Sequence, residues 1–449
     1  METIIEMING FVWGLPALMG ILGVGIYLTV RTRFVQFRFF PEALGRFLRM
    51  FRGRDRSSFR SLCTALGATV GTGNLVGVAG AIALGGPGSI FWMWVCGILG
   101  MATKYAEAVL AVRFRVREDG ETLGGPMYYI SRGMGNRWGW LASLYAFFGI
   151  IAAFGVGNAT QINALVSSIN TVTGGGTTAG NLLMGLGMAA LVGQVLSGGA
   201  KRIGAAAERL VPFAAAGYIL LCGAVLILRF DRIGPAFAAI FRGAFDPKAV
   251  TGGMLGSAFA ALRVGCARGV FTNEAGMGTA AMAHAGAEVT HPARQGMMGI
   301  MEVFLDTILI CTLTALVILC SGVPIPYGTD AGGVLTSDAF CSVCGEWSQV
   351  FLTIAIGCFA FATVLGWGLY GIRCARFLLG KGSERGFVAV QMGAAVLGAV
   401  LETGVIWQLA ETVNGLMAIP NLIALTVLSG EVVKLTREYQ KSGMANHPG

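Results

Sequence analysis

The residues of this chain best suited to holding a small polar solute and a cation lie inside apolar stretches, where polar groups are costly. Thr69-Val70-Gly71-Thr72-Gly73-Asn74-Leu75-Val76-Gly77 sits within an apolar segment running from about 62 to 84. Gly costs about 1 kcal/mol relative to Ala in a helix interior, so Gly71, Gly73 and Gly77 among Thr and Asn predict a helix that unwinds at mid-membrane. Unwound backbone leaves N–H and C=O groups that cost several kcal/mol each in hydrocarbon unless protein, water or a ligand satisfies them. The stretch reads as half of a ligand site.

A second stretch has the same character: Arg268-Gly269-Val270-Phe271-Thr272-Asn273-Glu274-Ala275-Gly276-Met277-Gly278, in the apolar segment from about 254 to 285. Two Gly-interrupted spans at corresponding positions of two halves point to a secondary transporter with inverted repeats, its site where the broken helices meet. Close helix packing through small residues is the plainer alternative. Phe271 would form an apolar lid at the break, and Thr272 and Asn273 offer oxygens.

Two further segments add polar groups. Asn158 and Gln161 are three residues apart in a cluster with Gly155, Gly157, Thr160 and Asn163, so they share one helical face. Thr363 and Trp367 share another. Hard cations take oxygen ligands, so the Thr363 hydroxyl with a carbonyl of Thr69 or Val70 would make one cation site. Ionisable residues within spans are Lys104, Glu107, Arg263, Arg268, Glu274, Glu302, Asp306 and Glu411, each a functional hypothesis by default. Lys104 and Glu107 read as a pair, Arg268 and Glu274 as a gate at the break, and Glu302 and Asp306 as a coupling pair or partners of Arg263 or Arg268.

These residues need membrane helices to position them. The chain is 55% hydrophobic and 12% charged, with a mean hydropathy of +0.70, far too apolar for a soluble globular protein. At about 20 residues per span, eleven are expected: 8–30, 61–84, 88–112, 139–170, 179–198, 208–229, 253–285, 297–321, 346–372, 386–403 and 405–433. The segments at 139 and 253 are longer than a bilayer needs and should tilt or break, and Pro420 should kink the last. Residues 113–138 should lie along the interface.

Nine Arg between the first two spans, from Arg31 to Arg60, place that loop in the cytoplasm. The N-terminus is then outside and the C-terminus inside. With this topology 25 of the 32 Lys and Arg fall on the cytoplasmic side and four outside. Loop topology therefore explains the net charge of +9, and no basic soluble domain for nucleic acid is present. Ten Cys are scattered, mostly in apolar segments; Cys341 and Cys344 form a lone C-x-x-C without the second pair of a zinc ribbon. With three His and no H-E-x-x-H, no catalytic constellation emerges and an enzyme is not expected. A channel is the stronger rival, since broken helices also line pores.

Gly71-Thr72-Gly73-Asn74, then Gly85-Gly86-Pro87-Gly88-Ser89-Ile90-Phe91-Trp92-Met93-Trp94, then Ala267 to Gly278 resemble the sodium:alanine symporter family over nearly the whole chain. The resemblance implies an all-α polytopic membrane protein of the leucine-transporter fold. Its core would be a 5+5 inverted repeat, 61–229 and 253–433, in a single transport domain, with a peripheral first helix at 8–30. It implies sodium-coupled symport of a small neutral amino acid, alanine or glycine, across a bacterial-type inner membrane. The carboxylate would meet the half-helix begun by Thr72, Gly73, Asn74 and Gly77. Gln161 matches the family Gln that faces substrate, and Phe271, Thr272, Asn273 and Trp367 complete the substrate set. Sodium would sit between the second and ninth spans at Thr69, Val70 and Thr363. The family pattern is departed from at Arg373, where an acidic residue is usual, and at Glu411, where Asp is common.

Overall fold

A computed structural model describes residues 10, 14–53, 55–246, 248–251, 257–329, 332–401 and 404–442. The start of the expected first span, residues 252–256 of the seventh and the Glu411 side chain lie outside the described residues. Helices dominate. In chain order the main ones are α1 (Leu15–Arg31), α2 (Phe40–Met50), α3 (Arg56–Thr69), α4 (Val78–Gly85), α5 (Gly88–Arg113), α6 (Gly139–Phe154), α7 (Thr160–Thr173), α8 (Thr178–Leu196) and α9 (Gly199–Leu228). The second half follows with α10 (Ile233–Phe245), α11 (Ala258–Asn273), α12 (Pro292–Val303), α13 (Thr312–Ser321), α14 (Gly332–Cys344), α15 (Trp347–Leu379), α16 (Ser383–Val400), α17 (Gly404–Val427) and α18 (Ser429–Lys441).

Local chemistry sets many of these ends. Side chains of Asp55, Thr177, Ser257 and His291 accept from backbone N–H groups in the first turns of α3, α8, α11 and α12, satisfying donors a helix start leaves open. Gly174 and Gly322 close α7 and α13 in the left-handed region, at φ 78° and 84°, which Gly enters without a Cβ penalty.

By length and composition six helices can cross a membrane, and two bent pairs bring the number to eight. Three expected spans are not among these: α1 has 17 residues, α11 has 16 because the chain leaves the helix at Glu274, and α16, at 18 residues, does not reach the same mean hydropathy. α5 is the hub. Its most apolar window is 83% buried, against 28% for α8 and 33% for α9, and α11 and α12 pack against it most heavily. On α8 and α9, Leu183, Leu220 and Ile227 are 72%, 74% and 78% exposed, an apolar surface suited to acyl chains.

Three features depart from expectation. Residues 113–138 carry a β-hairpin, β1 (Val116–Glu118) antiparallel to β2 (Glu121–Leu123), with Glu118 opposite Glu121, so the fold is not purely helical. Its turn, Asp119-Gly120, has both φ positive, 53° and 76°, as a type I′ turn requires. α17 runs on through Pro420, and the bend of 57° comes after it, between Val427 and Ser429. Finally, π-helical turns interrupt the helices at Gly73–Gly77, Gly155–Ala159 and Phe304–Cys311, and such turns recur at functional sites.

Candidate functional site

The first break begins where α3 ends. Val70 donates to the Leu66 carbonyl at 2.7 Å and then turns extended, φ −74° and ψ 96°; the two halves meet at 53°. Asn74 folds back to accept from the Gly71 N–H at 2.9 Å. Three elements converge on Gly71. A Cβ there would lie 2.9 Å from the Thr363 hydroxyl and 3.4 Å from the Gln161 side-chain oxygen, so only Gly admits that approach. Thr72 donates to the same Gln161 oxygen at 3.1 Å, and Thr363 donates to the Gly67 carbonyl at 3.0 Å.

The second break faces the first. α11 continues through Phe271, Thr272 and Asn273, and the chain leaves it only at Glu274, in the left-handed region at φ 53°; the break lies one step later than the sequence suggested. A Cβ on Gly73 would stand 3.4 Å from Thr272 Cγ2 and 3.7 Å from Phe271 Cδ1. Asn273 accepts from the Ala275 N–H at 3.0 Å and donates to Thr307 at 3.2 Å. Beside Gly77, also buried, a Cβ would meet nothing within 4 Å, which marks free space next to the π-helical turn.

Asp306 joins the two breaks. One carboxylate oxygen accepts from Asn74 Nδ2 at 2.7 Å; the other accepts from Thr307 at 2.8 Å, and Thr307 accepts from Asn273. The side chain is fully buried. Sequence reasoning had Asp306 as an in-span acid but not as this link, because the π-helical stretch Phe304–Cys311 that aims it carries no Gly or Pro to announce it.

Lys104, Glu107, Glu274 and Glu302 take partners the sequence did not suggest. Lys104 pairs with Glu302 at 2.9 Å, not with Glu107, and His284 reaches the other Glu302 oxygen at 2.8 Å. Helical spacing had favoured Glu107 for Lys104 and an Arg for Glu302; the helix-to-helix contact of α5 with α12 decides instead. Glu107 accepts from the Gly276 and Gly278 N–H groups at 2.9 and 3.1 Å and from Asn421 at 2.8 Å, so it satisfies the unwound backbone after α11. Glu274 accepts from Trp367 Nε1 at 3.1 Å and from Thr279, so its carboxylate serves the ninth expected span. Asn158 turns away from Gln161, donating to the Gln391 carbonyl at 2.7 Å.

The expected cation ligands come together in part. Thr363 abuts the Gly67–Gly71 turn, donating to the Gly67 carbonyl at 3.0 Å, and the Thr69 hydroxyl donates back to Ala65 at 3.2 Å, so both hydroxyl oxygens keep lone pairs that a cation could use beside the carbonyls of Thr69 and Val70. That donor type suits a hard monovalent cation. Among the described residues no three His, Cys, Asp or Glu side chains cluster as a metal site, and Cys341 and Cys344 are free thiols on α14.

Comparison with known proteins bears on this geometry. The profile of the sodium:alanine symporter family matches residues 1–447. The chain is 41% identical over 449 residues to the sodium/alanine symporter AgcS of Methanococcus maripaludis, covering 98% of this chain and 97% of that protein. It is 35% identical over 452 residues to the probable sodium/glutamine symporter GlnT of Bacillus subtilis, covering 99% and 92%. The fold resembles that of the leucine-transporter-fold protein MhsT, solved with L-phenylalanine, at a TM-score of 0.57 and 14% identity over 84% of this chain and 97% of that one. The chain therefore belongs to the sodium:alanine symporter family, membrane carriers that couple amino acid transport to a cation, and is not an enzyme.

Proposed function

We propose that this protein is a sodium-coupled symporter of a small neutral amino acid, alanine or glycine, working by alternating access across a bacterial-type inner membrane. The observation that carries the reading is the meeting of two broken helices, joined through Asp306, with Gln161 and Thr363 at the first break. Eleven spans, a first helix outside the core and 5+5 repeats at 61–229 and 253–433 complete the architecture, with the N-terminus outside and the C-terminus in the cytoplasm.

In this reading the substrate carboxylate meets the positive end of the half-helix begun by Thr72, Gly73, Asn74 and Gly77. Thr272, Asn273 and Gln161 supply acceptors for the ammonium, while Phe271 and Trp367 bound a small side-chain pocket. Sodium sits at the Thr363 hydroxyl with the carbonyls of Thr69 and Val70. The higher identity to AgcS, a sodium/alanine symporter by name, than to GlnT, a probable sodium/glutamine symporter by name, supports the choice of alanine over glutamine.

Uptake of labelled L-alanine into proteoliposomes under an inward sodium gradient, against potassium or proton gradients alone, tests this. Concentrative uptake only with sodium is expected. Gln161→Ala should raise the KM for alanine at least tenfold, and Thr363→Ala should raise the sodium concentration for half-maximal uptake while leaving the alanine dependence at saturating sodium. Uptake that equilibrates under every gradient would indicate a channel, and glutamine carried in preference to alanine would correct the substrate alone.

A further inference from the structure

A cleft of about 640 Å³ lies where the end of α1 meets α18, lined by Arg31, Arg33, Lys434, Arg437 and Lys441 with a single carboxylate, Glu438. Five cations face one acid. None of the five has a salt bridge among the described residues; Arg31 instead lies 5.6 Å from the centre of the Tyr27 ring. Lys434, Arg437 and Lys441 recur at three- and four-residue intervals on the exposed face of α18, while Val432, Leu435, Thr436 and Tyr439 bury the opposite face. Like charges left this close repel unless an anion joins them.

The cleft is built rather than incidental. Arg33 and Phe34 both adopt the left-handed region, φ 57° each, which costs roughly 1–2 kcal/mol per non-Gly residue. The Phe34 N–H donates to the Thr29 carbonyl at 2.7 Å and Gln36 donates to the Thr29 hydroxyl at 3.0 Å; this turn holds Arg33 over the cleft. Tyr27 and Ser429 are bonded at 3.0 Å, tying α1 to α18 next to the cleft-lining Gly430. Val30 lines the cleft and is 60% exposed, and Ile26, one turn earlier on α1, and Phe37, four residues after Arg33, are 52% and 57% exposed, so exposed apolar side chains flank the basic lining along the chain.

We propose that this cleft binds the phosphate headgroup of an anionic phospholipid, with the acyl chains lying along Ile26, Val30 and Phe37. A soluble phosphate would meet the cations equally well, but only a lipid uses the apolar side chains. Basic clefts between membrane helices at the positive-inside face take such headgroups. Occupancy would also fix α18, and through it the end of α17, against α1.

Native mass spectrometry of the detergent-purified protein, titrated with dioleoyl phosphatidylglycerol, dioleoyl phosphatidylcholine or inorganic phosphate, tests the proposal. Phosphatidylglycerol should bind, and the triple variant Arg33→Gln/Lys434→Gln/Arg437→Gln should bind it on the order of a hundredfold more weakly, about fivefold for each charge lost. The charge-keeping double variant Arg33→Lys/Arg437→Lys should retain binding, which separates loss of the site from loss of fold. Removing three exposed charges elsewhere on that face, by Arg52→Gln/Arg132→Gln/Arg137→Gln, should leave affinity within threefold. Equal weakening by that second triple variant would overturn the site in favour of a diffuse surface potential. Equal binding of phosphatidylcholine, or inorganic phosphate competing at the concentrations where the lipid binds, would overturn it too.

Discussion

At the scale of single residues, the buried polar groups are held by partners far away in the chain, and their replacement costs follow from burial. Lys104 and Glu302 are 0% and 1% exposed and 2.9 Å apart. Removing Lys104 takes the ammonium from a buried carboxylate that keeps only its His284 bond, at about 3–5 kcal/mol. Lys104→Met should therefore lower the melting midpoint in detergent sharply, whereas Lys104→Met/Glu302→Gln, which removes both charges, should recover much of the loss; a double variant no better than the single would show that Lys104 acts through something other than Glu302. The pairing was illegible beforehand because helical spacing ranks Glu107 first, and only the packing of α5 on α12 brings Glu302 to Lys104 across 198 residues of chain. Thr69 to Gly77 was legible for the opposite reason: three Gly in nine residues is a local signal that needs no partner to be read.

At the scale of elements, the β-hairpin was the least foreseen, although Asp119-Gly120 between Val116–Glu118 and Glu121–Leu123 is a two-residue turn signal in the sequence itself. The charged residues around it read more readily as a solvated interfacial helix. In the structure it clamps the end of α15. Glu121 accepts from Arg373 at 2.8 Å and Arg376 at 3.1 Å, Arg376 also reaches Glu384 at 3.1 Å, and both Arg are nearly buried. The departure at Arg373, unexplained in the sequence, thus has a partner in Glu121. Asp119 meets Lys381 at 2.8 Å, and that hydrogen-bonded ammonium holds its carboxyl below the ordinary carboxylate range. A depressed carboxyl pKa contributes above its unfolded value and loses that contribution as pH falls through its folded value. Limited proteolysis at the hairpin should accordingly be unchanged from pH 7 to pH 5 and rise only on stronger acidification. Glu121→Gln should raise it already at pH 7, because Arg373 and Arg376 then lose their shared carboxylate; protection equal to wild type would mean that Asp119, through Lys381 and Arg376, holds the hairpin without Glu121.

At the scale of the molecule, the proposed symport must move charge as well as substrate. A neutral zwitterion carries no net charge, so each transport cycle displaces only the charge of the cation that accompanies it. One charge crossing 100 mV is worth about 2.3 kcal/mol, and with 1.4 kcal/mol for each factor of ten the potential alone would support roughly fifty-fold accumulation. Two cations per substrate would square that factor. Alanine accumulation in proteoliposomes held at a series of potassium diffusion potentials should therefore rise tenfold for about every 60 mV if one sodium accompanies each alanine, and for about every 30 mV if two do. One ion would use the proposed Thr363 site at the first break, and a second would need the Asp306 carboxyl, buried where the two breaks are linked. Asp306→Asn keeps the shape and removes the acid. If that carboxylate balances a moving cation, the variant should shift the slope from the steeper value to the shallower one, and an unchanged slope would leave Asp306 as a bond between the halves and nothing more.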